Sequence, residues 1–258
     1  MCIRDRCFSA AAKVSPEVLR FFHAIGIRVK EGYGMTECTG LSFIHMGDDI
    51  KLGTVGKPLD CIDFKIAADG ELMKRGPSIF VGYYKNPSAT AETVIDGWLM
   101  TGDIAEVQDN GHLAIVDRKK DILITSGGKN IPPSLVENEL KVSPYITEAI
   151  ILGDGRKFIS ALIQIDFENV SKWATDRRLA YTNFKSLSRL QDVRDLIQKE
   201  VEAVNDKFAR VENVRKFLLL TKELDHDDDE LTATMKVRRA NIYKKFAREI
   251  EEIYGASA

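Results

Sequence analysis

The sequence predicts a chain in two parts, an α/β portion followed by an α+β portion. Three observations predict it. A helix-spaced apolar run, Val18, Leu19, Phe22 and Ile25, sits just ahead of a strand-like segment that begins at Val29. Over residues 51–117 short β-like runs alternate with turn signals such as AADG and QDNG, where glycine supplies a positive φ. The charged string DRKKD (117–121) then marks a joint, beyond which helical periodicity alternates with Ile-rich strands.

The first helix should start near Ser15, with Pro16 at its first position and Glu17 in its first turn, and should end at Gly26. The stretch 51–117 reads as a small antiparallel sheet or partial barrel. Past the joint, Pro133 opens a helix carrying Val136 and Leu140, and EAIILGDGRKFISALIQI (148–165) is a hairpin that turns at GDGRK. A longer helix over about 190–208 presents Leu190, Val193, Ile197, Val201, Val204 and Phe208 on one face. KFLLL (216–220) is a third strand. A last helix from about Val237 carries Ile242, Phe246, Ile250 and Ile253.

A length of 258 residues suits one or two domains at roughly 150 residues each. With 44% hydrophobic and 29% charged residues the composition is that of an ordinary globular chain rather than a disordered one. Basic residues (37) and acidic residues (39) nearly cancel to a net charge of −2, which argues against a nucleic-acid binder. No apolar run approaches the ~20 residues that span a bilayer, and the start lacks the apolar core of a signal peptide. Cys2, Cys7, Cys38 and Cys61 form no CxxC pair and read as free thiols of a reducing compartment, so the expected location is cytoplasmic. His23, His45, His112 and His226 lack ligand spacing and read as structural or surface residues, and the run from Asp227 to Glu230 as a solvated acidic loop.

Four strings stand out: GYGMTE (32–37), GWLMTGD (97–103), DRKKDILITSGGKNI (117–131) and LTATMKVRR (231–239). Each alone has a plain reading, as a turn, a buried Trp beside a cap, a charge run or a surface lysine. Their order and spacing are what carry information.

Together they resemble the adenylate-forming, or AMP-binding, superfamily, whose members activate a carboxylate with ATP and commonly pass the acyl group to coenzyme A. The likeness is closest to long-chain fatty acyl-CoA synthetases, through SAAAKVSPEVLRFF (9–22), IFVGYYKNPSATAE (79–92) and LIQIDFENVSKWA (162–174). The resemblance implies a C-terminal part of the large adenylation domain at 1–117, including a small β-barrel-like subdomain at about 51–117. A hinge at 118–122 and a mobile α+β lid domain at 123–258 follow.

The resemblance also implies site roles. Tyr33 would stack on adenine, Thr36 would contact the α-phosphate, and Glu37 would hold magnesium, a hard cation that prefers oxygen. Gly32 and Gly34 would let backbone approach the nucleotide. Ala11, with its alanine neighbours where relatives more often have glycine, would line the adenine. Asp103 would accept from the ribose hydroxyls and Arg118 would reach the same sugar. Lys236 would be the acyl-adenylation lysine, set in a string where Ala233 and Met235 depart from the family's wording. Lys120 would be the hinge, and Gly127 and Gly128 would admit the pantetheine chain of coenzyme A.

The expected reaction is ATP- and magnesium-dependent activation of a long-chain fatty acid and its transfer to coenzyme A, with peripheral membrane contact implied by the partitioning of such acids into bilayers. The family's Ser/Thr/Gly-rich phosphate loop has no counterpart here and MCIRDR does not fit the family's pattern. The expectation is a C-terminal fragment, inactive alone, whose Met1 is not a native start. A CoA ligase for another carboxylate and a non-catalytic AMP- or acyl-adenylate-binding module are the alternatives.

Overall fold

A computed structural model describes residues 7–232 and 236–255. The MCIRDR string and the departures at Ala233 and Met235 lie outside the described residues. The chain divides into two compact units, Met1–Ile122 and Leu123–Ala258.

In the first unit, β1 (Cys7–Ser9) leads to α1 (Pro16–Ala24). Ser15 caps this helix by accepting from the Glu17 amide at 3.2 Å, Pro16 occupies the first turn, and Leu19 is buried. Next come β2 (Val29–Met35), β3 (Gly40–Ile44) and β4 (Lys57–Pro58), which join β1 in a four-stranded sheet. In it β1 runs parallel to β2, and the other neighbours are antiparallel.

A second sheet holds β5 (Asp63–Ile66), β6 (Glu71–Arg75), β7 (Val94–Ile95), β8 (Trp98–Val107) and β9 (Leu113–Arg118), in the order β5-β6-β8-β7 with β9 also on β8. The helix α2 (Pro87–Thr93), capped by Asn86, precedes β7. This sheet is open, as the antiparallel-sheet reading of 51–117 expected, and among the described residues it does not close into a barrel: β5 pairs with β6 alone, and the two residues of β7 give too little ladder to close a ring. Phe43, Leu72, Ala105 and Leu113 form the core shared by the two sheets. Backbone bonds at 2.8 and 2.9 Å, from Val55 to Leu113 and from Leu113 to Gly56, tie them together.

The second unit opens with the hairpin of β10 (Leu123–Ile124) and β11 (Asn130–Ile131), then α3 (Pro133–Leu140). A three-stranded sheet follows in the order β12 (Ile146–Leu152), β13 (Ser160–Ile165), β14 (Lys216–Leu219), with β14 parallel to β13. Between β13 and β14 lie α4 (Phe167–Asp176), α5 (Phe184–Ser188) and α6 (Gln191–Asn205).

Every residue of β13 is buried, because both faces of the sheet are covered. Ala149 and Ile151 face one core with Val193, Ile197, Val201 and Val204 of α6. Ile150 and Leu152 face another with Ile242, Ile250 and Ile253. The last three were expected on one helix but lie on two, α7 (Arg239–Lys245) and α8 (Ala247–Gly255). Phe246, at φ −104° and ψ 24°, leaves the helical region between them, while the apolar spacing continues across the break. Among the described residues no helix is long and apolar enough to cross a membrane.

Candidate functional site

Tyr33 lies on β2 and Asp103 on β8, 70 positions apart in sequence. The Tyr33 hydroxyl donates to Asp103 Oδ2. Asp103 Oδ1 lies 3.0 Å from Arg118 Nε, and the β8–β9 register places Asp103 and Arg118 directly opposite. Asp103 is buried, whereas the Arg118 side chain is 61% exposed. Each carboxylate oxygen therefore already has a partner and keeps lone-pair capacity for one more donor. Burial pushes the Asp103 carboxyl above the usual carboxylate range, against the Tyr33 hydrogen bond and the Arg118 charge, which pull it down. Burial also raises the Tyr33 hydroxyl well above the ordinary tyrosine value, and the neighbouring Asp103 charge adds to it.

The glycines of GYGMTE serve the sheet. A Cβ on Gly34 would stand 1.7 Å from the Gly40 carbonyl oxygen, so only glycine permits the bulge between β2 and β3. Thr36 is exposed and opens a short 3-10 turn over Thr36–Cys38. Glu37 Oε1 accepts from the Tyr83 hydroxyl at 2.8 Å, and the Glu37 carbonyl accepts from the Phe80 amide at 2.8 Å. The segment around Phe80 and Tyr83 is thus stitched to the motif turn. Ala11, in the exposed loop between β1 and α1, has φ +71°, the left-handed region that glycine would occupy without strain.

The joint is braced by an acid the sequence reading did not single out. Buried Glu71 accepts from the Gly102 amide at 2.9 Å through Oε1, and from Lys119 Nζ at 2.8 Å through Oε2. Asp69 also holds Lys119, at 2.6 Å, and the two acids raise the lysine well above its ordinary value. The TGD stretch of β8 and the arginine-lysine pair are therefore locked together, while Lys120 is exposed two residues before the first unit ends.

In the second unit, Gly127 and Gly128 form the exposed turn of the β10–β11 hairpin, where the Gly128 amide donates to the Thr125 carbonyl at 2.8 Å and Gly128 has φ +73°. Lys236 is exposed in a loop closed by an antiparallel bridge between Leu231 and Val237. The Lys236 amide donates to Thr232 Oγ1 at 3.0 Å, and the Thr232 amide to the Lys236 carbonyl at 2.8 Å.

Glu230, expected in a solvated loop, is fully buried at the base of that loop, with Lys222 and Lys245 at 2.9 and 2.7 Å. Burial works against its charge, yet the two lysines hold its carboxyl below the usual glutamate value. On the other side of Lys236, Arg239 clasps buried Glu137 with bonds of 2.5 and 2.6 Å, and Glu137 also accepts from the Ile151 amide. The lysine loop is pinned at both ends.

His45 and His112 are buried and joined through Thr54, with Asp49 on His112, in a structural relay. Exposed His226 sits between Asp225 and Asp227.

Glu71, Tyr83, Glu137 and Glu230 act through partners distant in sequence or masked by plain charge runs, and no local signal distinguishes them. What the first unit assembles is an aromatic ring from one sheet with a buried carboxylate of residual acceptor capacity and an exposed guanidinium paired on the β8–β9 ladder of the other. That set suits a ligand carrying a planar ring and vicinal hydroxyls.

Residues 120–258 match the AMP-binding enzyme C-terminal domain family, and residues 4–84 match the AMP-binding enzyme family. A long-chain-fatty-acid–CoA ligase of Mycobacterium tuberculosis is 40% identical over 249 residues, which cover 95% of this chain and 41% of that protein. Human long-chain-fatty-acid–CoA ligase 1 is 33% identical over 262 residues, covering 95% of this chain and 37% of that protein. The chain thus spans about two fifths of the length of the curated relatives it matches.

Among solved structures, the A domain of the carboxylic acid reductase of Segniliparus rugosus, in complex with AMP and a co-purified carboxylic acid, aligns with a TM-score of 0.79 at 22% identity, covering 98% of this chain and 39% of that one. The o-succinylbenzoate CoA synthetase of Bacillus subtilis, bound to its acyl-adenylate intermediate, aligns with a TM-score of 0.69 at 24% identity, covering 93% of this chain and 46% of that one.

Proposed function

Because this chain belongs to the AMP-binding enzyme family, we propose that it contributes the nucleotide-holding strands and the lysine loop of an acyl-CoA ligase that activates a long-chain fatty acid. The observation that carries this reading is the Tyr33–Asp103–Arg118 cluster. Identity of 33–40% to relatives named as long-chain-fatty-acid–CoA ligases supports the substrate class.

In this reading Tyr33 stacks on adenine, and Asp103 accepts from the ribose cis-diol with the lone pairs that Tyr33 and Arg118 leave available. Arg118 donates to the same sugar from the exposed side. Ala11 lines the adenine from its loop. Thr36 contacts the α-phosphate, and Gly34 lets the backbone come close to the nucleotide. Glu37 would hold magnesium. A single carboxylate fits that ion, whose other ligands are commonly phosphates and water, and the ion would neutralise phosphate charge.

Negative charge accumulates at the α-phosphate as the fatty carboxylate attacks it. Lys236, brought there by the lid domain at 123–258, stabilises that charge more in the transition state than in the ground state. Turning about Lys120 in the hinge at 118–122 then exchanges the lysine loop for the Gly127–Gly128 hairpin, whose backbone admits the pantetheine arm of coenzyme A. Long-chain substrates partition into bilayers, which gives peripheral membrane contact a physical basis.

The test replaces the matching stretch of the mycobacterial relative with this chain and measures fatty-acid-dependent AMP release over a chain-length series. Release that rises with long-chain acids, and is lost in Lys236→Ala, is the expected result. Release with aryl or short acids alone would assign another carboxylate.

A further inference from the structure

Below the Tyr33 ring, an amine and a thiol meet in the core. Lys74 of β6 is fully buried, and Cys38 is 1% exposed. Lys74 Nζ donates to Cys38 Sγ at 3.2 Å and to Ser42 Oγ at 3.2 Å. Cys38 Sγ and Ser42 Oγ are 2.9 Å apart, and the thiol also faces the Met35 and Gly40 carbonyls, both at 3.2 Å. A buried ammonium is ordinarily matched by a carboxylate. Here its direct hydrogen-bond partners are a thiol and a hydroxyl.

This arrangement has chemical consequences. Burial pushes the Lys74 amine below the ordinary lysine value, against the pull of Cys38, and so enlarges the share of free, nucleophilic amine. A thiol is the group to which a peroxide transfers its first oxygen. Nitrogen and sulfur already touch, and an N–O–S bridge holds its end atoms slightly closer than this contact, so neither strand need move. The cover over the thiol is thin, since its chain neighbours Thr39 and Gly40 are exposed.

We propose that Cys38 and Lys74 form an oxidisable pair, which a peroxide links covalently through one oxygen atom between Cys38 Sγ and Lys74 Nζ. A first peroxide transfers one oxygen to the thiol; its O–O bond breaks, an S–O bond forms, and one water leaves. A second peroxide takes two electrons as the N–O bond forms. The amine gives up one hydrogen, the sulfenic acid gives up its own, and both peroxide oxygens leave as water. Sulfur and nitrogen are each oxidised by two electrons, two peroxides are consumed and three waters are released. The link discharges the ammonium that stands 4.8 Å from the centroid of the Tyr33 ring. Its effect on nucleotide binding rests on the reading above, but its formation does not.

The test is mass spectrometry of the full 258-residue chain after hydrogen peroxide treatment, with Cys2, Cys7 and Cys61 replaced by serine to silence the other thiols. The expected species gains one oxygen and loses two hydrogens, about 14 Da heavier, and yields a linked peptide pair joining positions 38 and 74 that dithiothreitol releases. In Lys74→Met the linked mass should vanish and Cys38 should pass on to sulfinic acid. Cys38 that stays a thiol, or reaches sulfinic acid without any linked pair while Lys74 is present, overturns the proposal, and so does a linked pair lacking the oxygen. The unsubstituted lysine chain decides the matter even if the methionine variant does not fold. AMP plays no part in this readout, so its failure and the failure of the nucleotide reading are separate results.

Discussion

Arg118 stands opposite Asp103 on the β8–β9 ladder, its Nε 3.0 Å from Asp103 Oδ1. The ladder fixes this meeting through backbone register, and Tyr33 closes the other carboxylate oxygen from a different sheet. The carboxylate is buried while Arg118, its ion-pair partner, is largely in solvent, so its charge is a liability for folding that a ligand-binding role would explain.

Asp103→Asn should therefore stabilise the chain at pH 7. Asparagine keeps an acceptor for the Tyr33 hydroxyl and removes the buried charge. The sign follows from linkage. Folded Asp103 holds its proton more tightly than the unfolded chain does. Wild-type stability thus falls as pH rises from the ordinary aspartate value of about 3.9 through the raised folded value. The advantage of the variant should grow across that window and then level off. Urea unfolding of both proteins over pH checks it, and a variant less stable at pH 7 would count against the assignment.

Two backbone positions in the motif loops should respond with opposite signs. Gly34→Ala places a Cβ against fixed backbone atoms at 1.7 and 2.8 Å, and should cost more than ~2 kcal/mol. Ala11→Gly relieves a left-handed alanine and should gain roughly 1 kcal/mol. Denaturant midpoints at unchanged slope measure both.

The Arg239–Glu137 pair predicts strong coupling. Arg239→Ala strands a buried carboxylate and should destabilise the second unit by about 3–5 kcal/mol. Glu137→Leu combined with Arg239→Met should recover most of that loss. A double-mutant cycle by thermal unfolding reads the coupling directly.

The base of the Lys236 loop offers a local test. Glu230→Gln removes the charge that Lys222 and Lys245 hold. Exchange of the Lys236 amide, which donates to Thr232, should then quicken by about tenfold or more, corresponding to ~1.4 kcal/mol of local opening. An unchanged rate would detach the clamp from the loop.

Much of this architecture was legible in the sequence where the information is local. Ser15 with Pro16 marked the start of α1, and the spacing of Val193, Ile197, Val201 and Val204 marked the buried face of α6. The break at Phe246 was not legible, because Ile242, Ile250 and Ile253 keep a helical spacing across it and reach one core. The choice between an open sheet and a partial barrel stayed undecided in the sequence, because turn signals count strands but do not say whether the edges meet. At the site, the resemblance grouped Tyr33, Asp103 and Arg118 around one nucleotide, but their mutual contacts were not legible: the β8–β9 register sets Arg118 opposite Asp103, and Tyr33 reaches Asp103 from the other sheet. Lys74 was invisible for the converse reason. A lysine beside an arginine on a strand reads as solvent-facing, and its partners Cys38 and Ser42 lie 36 and 32 residues away.

The central claim is that the first unit holds a nucleotide at Tyr33, Asp103 and Arg118. Titration calorimetry of the 258-residue chain with AMP tests it most directly, with Asp103→Ala as the comparison. The account predicts one saturable site in the wild type, weakened about tenfold or more in the variant, or ~1.4 kcal/mol. No saturable heat in the wild type, or equal affinity in the two proteins, would contradict it.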